Sequence, residues 1–143
     1  MCAWSPAMTH DPAPLDFASL VPDAHPRRFL VLPPGFQARA EPDAVSPVFA
    51  MAPQALMAAL DSIALGEPRT QRRRQDGGQA EYVQRSKVFR FADLITLQAF
   101  AHEGGSALAA YSRAQVGYYD FKVNQRRLER WIAAARQADG KAK

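Results

Sequence analysis

Proline divides this 143-residue chain into two unlike parts. Ten of its 11 prolines lie at or before Pro53, and only Pro68 follows. Because proline fixes φ and removes a backbone donor, it interrupts helices and the inner strands of a sheet. The pattern predicts a disordered tail at residues 1–15, an irregular proline-rich wrap at 16–52, an α+β domain at 53–138 and a C-terminal tail at 139–143.

Charge follows the same division. Residues 1–66 contain 3 Lys and Arg against 6 Asp and Glu, whereas residues 67–143 contain 15 against 8. The lone cysteine, Cys2, excludes an intramolecular disulfide. No cluster of His, Cys, Asp or Glu has the spacing of metal ligands, so we expect no metal and no cofactor. No apolar run is long enough to cross a membrane and no secretory signal is recognisable, which predicts a cytoplasmic protein without a transmembrane segment.

The segment after the prolines has a regular pattern of turns and apolar stripes. A helix is predicted from Pro53, with Gly66 ending it. Strands are predicted at about 69–75, 79–91, 94–103 and 106–113. The turns between them are Asp76-Gly77-Gly78, the tight connection Ala92-Asp93 and Gly104-Gly105. A last helix is predicted from Asp120 or Val123 to Ala138, ended by Asp139-Gly140.

This order predicts an α+β fold in which two helices pack on one face of a four-stranded antiparallel meander, in the order α-β-β-β-β-α. The irregular proline-rich wrap precedes it. Within that wrap, Arg28–Leu32 is interpreted as a short extended segment that Pro33-Pro34 stops.

A basic run lies on or beside the first hairpin. Alternation along a strand would place Arg72 and Arg74 on one face and Arg73 on the other, which is typical of a charged sheet edge. Together with Arg69 they keep an anionic membrane surface as a candidate partner. Nucleic acid is disfavoured, because no aromatic stacking platform interleaves with the arginines.

The densest polar stretch joins the last strand to the last helix. Asp120 and Asn124 are suited to cap the helix, and Arg113 is expected to pair with Asp120. Gly117 permits the tight turn, and Arg127 lies on the same helix side as Asn124. Two interpretations compete. The residues form either a buried hydrogen-bond network or an anion pocket of two guanidinium groups beside a helix N-terminus.

The same stretch resembles the signature of the bacterial and plastid family known as domain of unknown function 1499. The matching residues are Ser112, Arg113, Val116, Gly117, Tyr118, Asp120, Val123, Asn124 and Arg127. The upstream segment from Arg85 to Asp93 is similar to a second family pattern. Gln115, Tyr119 and Lys122 depart from the signature, and the loss of an arginine at Gln115 weakens an anion-pocket reading. The resemblance implies no established activity, and many members carry an export signal or membrane anchor.

Two functional hypotheses follow. The first is a non-catalytic protein that binds an unknown protein or small anion at the strand–helix junction. It is favoured because the sequence has no Gly-x-Ser-x-Gly elbow, Walker loop or Gly-x-Gly-x-x-Gly motif. The candidate residues are Ser112, Arg113, Gly117, Asp120, Asn124 and Arg127, with Asp93 and Arg85 as further candidates. The alternative is an enzyme that uses Asp93 or Asp120 as acid or base in a pocket under the wrap.

Overall fold

The computed structural model describes residues 14–117 and 120–142. Within these residues the fold is α+β, with seven strands and two helices. The strands are β1 (Arg28–Leu32), β2 (Ala44–Val45), β3 (Val48–Phe49), β4 (Thr70–Asp76), β5 (Gln79–Arg85), β6 (Ala92–His102) and β7 (Gly105–Ala114); the helices are α1 (Pro53–Leu65) and α2 (Val123–Ala142). Most of the predicted tail at 1–15 lies outside the described residues, as do Tyr118, Tyr119 and Lys143.

The strands form one sheet in the order β2-β1-β7-β6-β5-β4, and β3 also pairs with β7. β1 and β2 run parallel, and the other pairings are antiparallel. Strands β4 to β7 form a meander. Gly77, Gly78 and Gly104 adopt positive φ at its hairpin turns, the conformation that glycine reaches without steric cost. The sheet is therefore mostly antiparallel, as the sequence predicts.

The predicted size of the sheet and the predicted element order are wrong. Three strands precede α1, so the order is β-β-β-α-β-β-β-β-α. Arg28–Leu32 is an inner strand, with Leu30 opposite Tyr111 and Val31 opposite Ala110 of β7. The side chains of β7 are buried almost throughout, so its second edge would carry unpaired backbone groups in the interior. The apolar run of β1 covers that edge.

The connection between β5 and β6 also differs from the prediction. β5 ends at Arg85 rather than continuing to Phe91, and Ala92 and Asp93 begin β6 instead of forming a turn. Ser86 donates its backbone N–H to the Phe91 carbonyl, and Phe91 donates its own N–H to Ser86 Oγ, each at 3.0 Å. Arg90 turns the chain with a φ of 60°. Residues 86–91 thus form a loop closed by its own hydrogen bonds.

Helix α2 extends past the predicted stop at Asp139-Gly140 and ends at Ala142. Asp139 is 9% exposed, and its carboxylate accepts the backbone N–H groups of Ala50 at 2.9 Å and Met51 at 3.0 Å. Those bonds tie the end of α2 to the residues before α1. Neither helix of the described residues is long and apolar enough to cross a membrane.

Both helices pack on one face of the sheet. Leu56 and Leu60 of α1 and Leu128 and Trp131 of α2 are at most 1% exposed and belong to one apolar core with side chains of β5, β6 and β7. The Trp131 ring meets the Tyr82 ring of β5 edge to face, with centroids 6.1 Å apart. This spacing is typical of favourable aromatic pairs. We call this side the helix face.

The opposite face of the sheet is covered by the chain that precedes and follows β1. Phe17 packs there with Leu30, Leu32 and Tyr111, and the Phe36 ring lies 5.2 Å from the Phe100 ring. The proline-rich part therefore supplies a second apolar core in addition to three strands. We call this side the covered face.

Candidate functional site

Arg127 is the centre of a buried polar network. It lies in the first part of α2, and its side chain is 4% exposed. The guanidinium donates from Nε to Gln84 Oε1 at 2.7 Å, from Nη1 to Ser112 Oγ at 3.0 Å and Asn124 Oδ1 at 2.7 Å, and from Nη2 to Asp93 Oδ2 at 2.7 Å. Each of the three guanidinium nitrogens therefore donates a hydrogen bond to at least one protein group.

The register of the sheet explains how these partners meet. Gln84 of β5 lies opposite Asp93 of β6, and Ser112 of β7 lies opposite Ile95. Because side chains alternate along a strand, Asp93 and Ile95 point to the same side. Ile95 belongs to the core beneath the helices. Gln84, Asp93 and Ser112 therefore share the helix face, directly below the start of α2.

Hydrogen bonds of Asp120 and Asn124 fix the chain at the start of α2. Asp120 accepts the Lys122 N–H at 2.9 Å with Oδ1 and the Asn124 Nδ2 at 2.6 Å with Oδ2. Asn124 Nδ2 also donates to the Arg27 carbonyl at 3.1 Å, and Ser112 Oγ donates to Asn124 Oδ1 at 2.6 Å. Side-chain oxygens here satisfy backbone donors that the first helical turn leaves free. Asn124 joins Asp120 to the Arg127 network.

Gln84 connects the network to a second ion pair. Its Nε2 donates to Glu67 Oε1 at 3.0 Å, and Arg130 binds both oxygens of Glu67 at 2.7 and 3.0 Å. Burial acts to raise the pKa of Glu67, but hydrogen bonds from Arg130 and Gln84 outweigh it and hold that pKa at about 2. Glu67 is therefore ionised across the physiological range.

Arg113 lies on the other side of the sheet. Its Nη1 donates to Thr96 Oγ1 at 3.0 Å, its Nη2 is 3.7 Å from Glu81 Oε1, and its guanidinium lies 4.7 Å from the centre of the Tyr111 ring. The predicted pairing with Asp120 is wrong, because Ser112 faces α2 and its neighbour in the strand must face away. The structure does not bring Arg113 together with Arg127.

Gly117 and Arg85 lie near the network but outside it. Gly117 has a φ of 87°, which favours glycine, and its carbonyl accepts from Arg27 Nη1 at 2.8 Å. Arg85 is exposed, and its Nη1 donates to the Arg90 carbonyl at 3.2 Å.

The arginine run of β4 is held by acidic partners. Arg72 binds both oxygens of Asp61 on α1, at 2.8 and 2.9 Å. Arg73 lies 3.5 Å from Glu81, and Arg74 pairs with Asp76 at 2.7 Å. The register shifts between Arg72 and Arg74, so the predicted placement of these two on one face is wrong.

A cleft of about 660 Å³ opens beside the Arg127 network, where β5 and β7 end and β6 begins. We call it the junction cleft. Asp93, Asp120, Gln84 and Arg127 supply its polar base. Its lining comes from residues 67–130 and includes Asp93 and Asp120. A smaller cavity of about 320 Å³ brings Asp120 together with Phe29 and Asp43 of the proline-rich segment, where the enzyme hypothesis expected a pocket.

The walls and mouth of the junction cleft differ from its base. The walls include Phe91, Val116 and Val123, which are 52%, 47% and 43% exposed. Arg69 and Arg85 also line the cleft, and because both are exposed we describe them as its mouth. Amphipathic lining of this kind, apolar with a few converging polar groups, is typical of small-molecule sites. Within residues 14–117 and 120–142, no three His, Cys, Asp or Glu side chains are grouped to hold a metal ion.

The surroundings of Asp93 in the cleft change the pKa of its carboxyl group. Burial raises the pKa of Asp93 above its ordinary value, the Arg127 guanidinium lowers it in part, and the charge of Asp120 raises it further. The ionised form is thus disfavoured in the folded chain. The contribution of Asp93 to stability therefore decreases as pH rises from the ordinary carboxyl pKa through the raised one.

We expect Asp120→Asn to lower the pKa of Asp93, because it removes the neighbouring negative charge while leaving an oxygen that can cap the helix. Carbon-detected NMR titration of the Asp93 carboxyl measures this directly. The matched control is Glu129→Gln, which removes an exposed acid from α2 and should leave the pKa of Asp93 unchanged. Equal pKa values in Asp120→Asn and the unmodified protein would contradict the assigned coupling.

Sequence reasoning missed Gln84, Glu67 and Phe91 as parts of this site. Gln84 occupies a strand position like any surface glutamine, and only the strand register places it under Arg127. One signal was available for Phe91. It belongs to Val88-Phe89-Arg90-Phe91, an apolar and basic segment next to Asp93.

The fold and the cleft together define a class: an α+β protein with a mostly antiparallel sheet, two helices on one face and a polar-based cleft at the strand–helix junction. Residues 19–134 match the family model described as "Protein of unknown function (DUF1499)". The chain belongs to this family, as the sequence signature indicates. Neither the curated proteins nor the solved structures contain a significant match to the chain.

Proposed function

We propose that the protein binds a small amphipathic anion in the junction cleft. The observation that carries this proposal is the cleft itself, which combines apolar walls with a partly buried acid, Asp93, whose pKa is raised. An apolar body would pack on Phe91, Val116 and Val123. A hydroxyl or amide of the same molecule would reach Asp93, which is 16% exposed in its side chain.

The charge of the lining favours an anion over a cation. Four arginines and three carboxyl groups line the cleft, so positive charges outnumber negative ones even when every carboxyl group is ionised. Arg127 pairs with Asp93, and Arg130 pairs with Glu67. Arg69 and Arg85 use part of their donors on backbone carbonyls, which leaves further N–H groups of each at the mouth. These two are the proposed contacts for the negative group.

The position of Arg127 beside the start of a helix suggested that it binds the anion, but in this proposal it has a structural role. The anion pocket expected from the sequence combined Arg113 with Arg127. Arg113 lies on the covered face of the sheet. Arg127 donates to four protein groups, on Gln84, Ser112, Asn124 and Asp93. We assign Arg127 to the scaffold that shapes the cleft and positions Asp93.

Acid–base catalysis by Asp93 is the second candidate function. The raised pKa of Asp93 favours it, since a carboxyl group that keeps its proton closer to neutral pH is suited to proton transfer. Turnover of a bound compound, followed by NMR over time, separates the two. Chemical change that Asp93→Asn abolishes supports catalysis, whereas stable binding without change supports the binding protein.

A ligand screen with a matched pair of variants tests the proposed binding. We expect ligand-observed NMR with the full chain to detect small amphipathic acids, and Val116→Ser to weaken their binding about tenfold, as loss of an apolar contact predicts. Val48→Ser is the control, because Val48 is 45% exposed, close to the 47% of Val116, and lies away from the cleft on β3. A blank screen, or equal loss in both variants, would overturn the proposal.

A further inference from the structure

The loop between β5 and β6 carries large apolar side chains in solvent. Val88 and Phe89 are 75% and 72% exposed, and neither lines the junction cleft. The Phe89 and Phe91 rings stack with centroids 5.4 Å apart and planes inclined by 16°. Folded proteins rarely leave several large apolar groups together in water without a use for them. This loop, residues 86–91, we call the apolar tip.

Basic residues alternate with the apolar ones along the same loop. Lys87 precedes Val88, and Arg90 separates Phe89 from Phe91. Within the described residues, neither Lys87 nor Arg90 forms an ion pair. The cations of the tip are therefore available to an external negative surface.

The backbone of the apolar tip is suited to an environment poor in water. The Ser86 N–H and the Phe91 carbonyl bond each other, the Phe91 N–H bonds Ser86 Oγ, and the Arg90 carbonyl accepts from Arg85 Nη1. These groups would keep their partners if water around the tip were replaced by lipid. A loop without such bonds would lose hydrogen bonding on entering an apolar medium.

We propose that the apolar tip docks the protein on an anionic lipid bilayer, with Val88 and Phe89 entering the headgroup boundary and Lys87 and Arg90 binding lipid phosphates and carboxylates. Charge complementarity favours a bilayer as the partner, because alternating apolar and basic side chains on an exposed loop match a surface that is apolar below and negative above. The tip is distinct from the arginine run of β4, whose charges Asp61, Glu81 and Asp76 already hold.

Co-sedimentation of the full chain with vesicles tests this docking. The vesicles are phosphatidylcholine with about 30% phosphatidylserine, a composition with the negative surface potential of a cytoplasmic leaflet. We expect binding that weakens as salt rises, because exposed charges are screened. Val88→Ser combined with Phe89→Ser should weaken binding about tenfold or more. Lys87→Gln should weaken it about fivefold.

Two matched controls accompany these variants. Val21 is 68% exposed, so Val21→Ser removes a comparable apolar group elsewhere, and Arg39→Gln removes an exposed charge elsewhere. Both should bind vesicles like the unmodified protein. Absence of vesicle binding, equal binding to pure phosphatidylcholine, or equal loss in the controls would overturn the proposal. So would self-association in sedimentation velocity that Phe89→Ser abolishes without vesicle binding, which would assign the tip to a second copy of the chain.

Discussion

Arg127→Leu is expected to lower the free energy of unfolding by about 3–5 kcal/mol. The substitution removes the guanidinium donors that bind Gln84, Ser112, Asn124 and Asp93. It leaves the partly buried Asp93 carboxyl without its cation. Removing one partner of an ion pair inside the protein costs more free energy than the pair contributes, because the remaining charge stays where water solvates it poorly. Urea unfolding followed by far-ultraviolet circular dichroism measures the change.

The neighbouring residue provides the control for this prediction. Arg126 is exposed on the same helix, so Arg126→Leu should change the free energy of unfolding by less than about 0.5 kcal/mol. Adding Asp93→Asn to Arg127→Leu should recover part of the loss, since the unpaired charge is then gone. A loss below about 1 kcal/mol in Arg127→Leu would contradict the description of the network as a buried scaffold.

Gly105→Ala is expected to destabilise the fold by about 3 kcal/mol, the upper part of the range for overpacking. A Cβ at this position would lie 1.9 Å from the Phe49 carbonyl oxygen, a backbone atom of β3 that no side-chain rotation can move. The start of β7 would have to separate from β3, which pairs with it through Phe49 and Ser106. Urea unfolding measures this loss also.

The same substitution at another glycine is the matched control. Gly140 lies inside α2, and a Cβ there would meet nothing within 4 Å. Gly140→Ala should stabilise the protein by about 0.5–1 kcal/mol, because alanine has the better helix propensity. Similar effects of the two alanines would show that the close approach of β3 to β7 is not as described.

The parts of the fold that local chemistry specifies were predictable. The start of α1 at Pro53 and the turns at Gly77, Gly78 and Gly104 depend on residues adjacent in sequence. β1 depends on β7, more than 70 residues later, for its hydrogen bonds. No local sequence pattern indicates such a distant partner, and the prolines around β1 favoured an irregular segment. The continuation of α2 past Asp139 has the same cause, since a tertiary contact with Ala50 and Met51 holds that end.

The candidate site was likewise predictable only in the part that depends on neighbouring residues in the sequence. Asn124 and Arg127 lie together because a spacing of three residues places them on one side of a helix, and Asp120 joins them as a cap that precedes α2. Arg113 was misplaced although a signal existed: strand alternation sends it opposite to Ser112. Gln84 was out of reach, because its approach to Arg127 depends on the pairing of β5 with β6.

The location of a bound compound tests the central proposal most directly. Backbone amide shifts of the full chain, recorded while a small amphipathic acid from the screen is added, identify the residues that it contacts. We expect the largest shifts at Gln84, Phe91, Asp93 and Val116, around the junction cleft, and expect Val116→Ser to reduce them. Shifts confined to the smaller cavity of about 380 Å³ between Met57 of α1 and the β4–β5 turn would contradict the proposal.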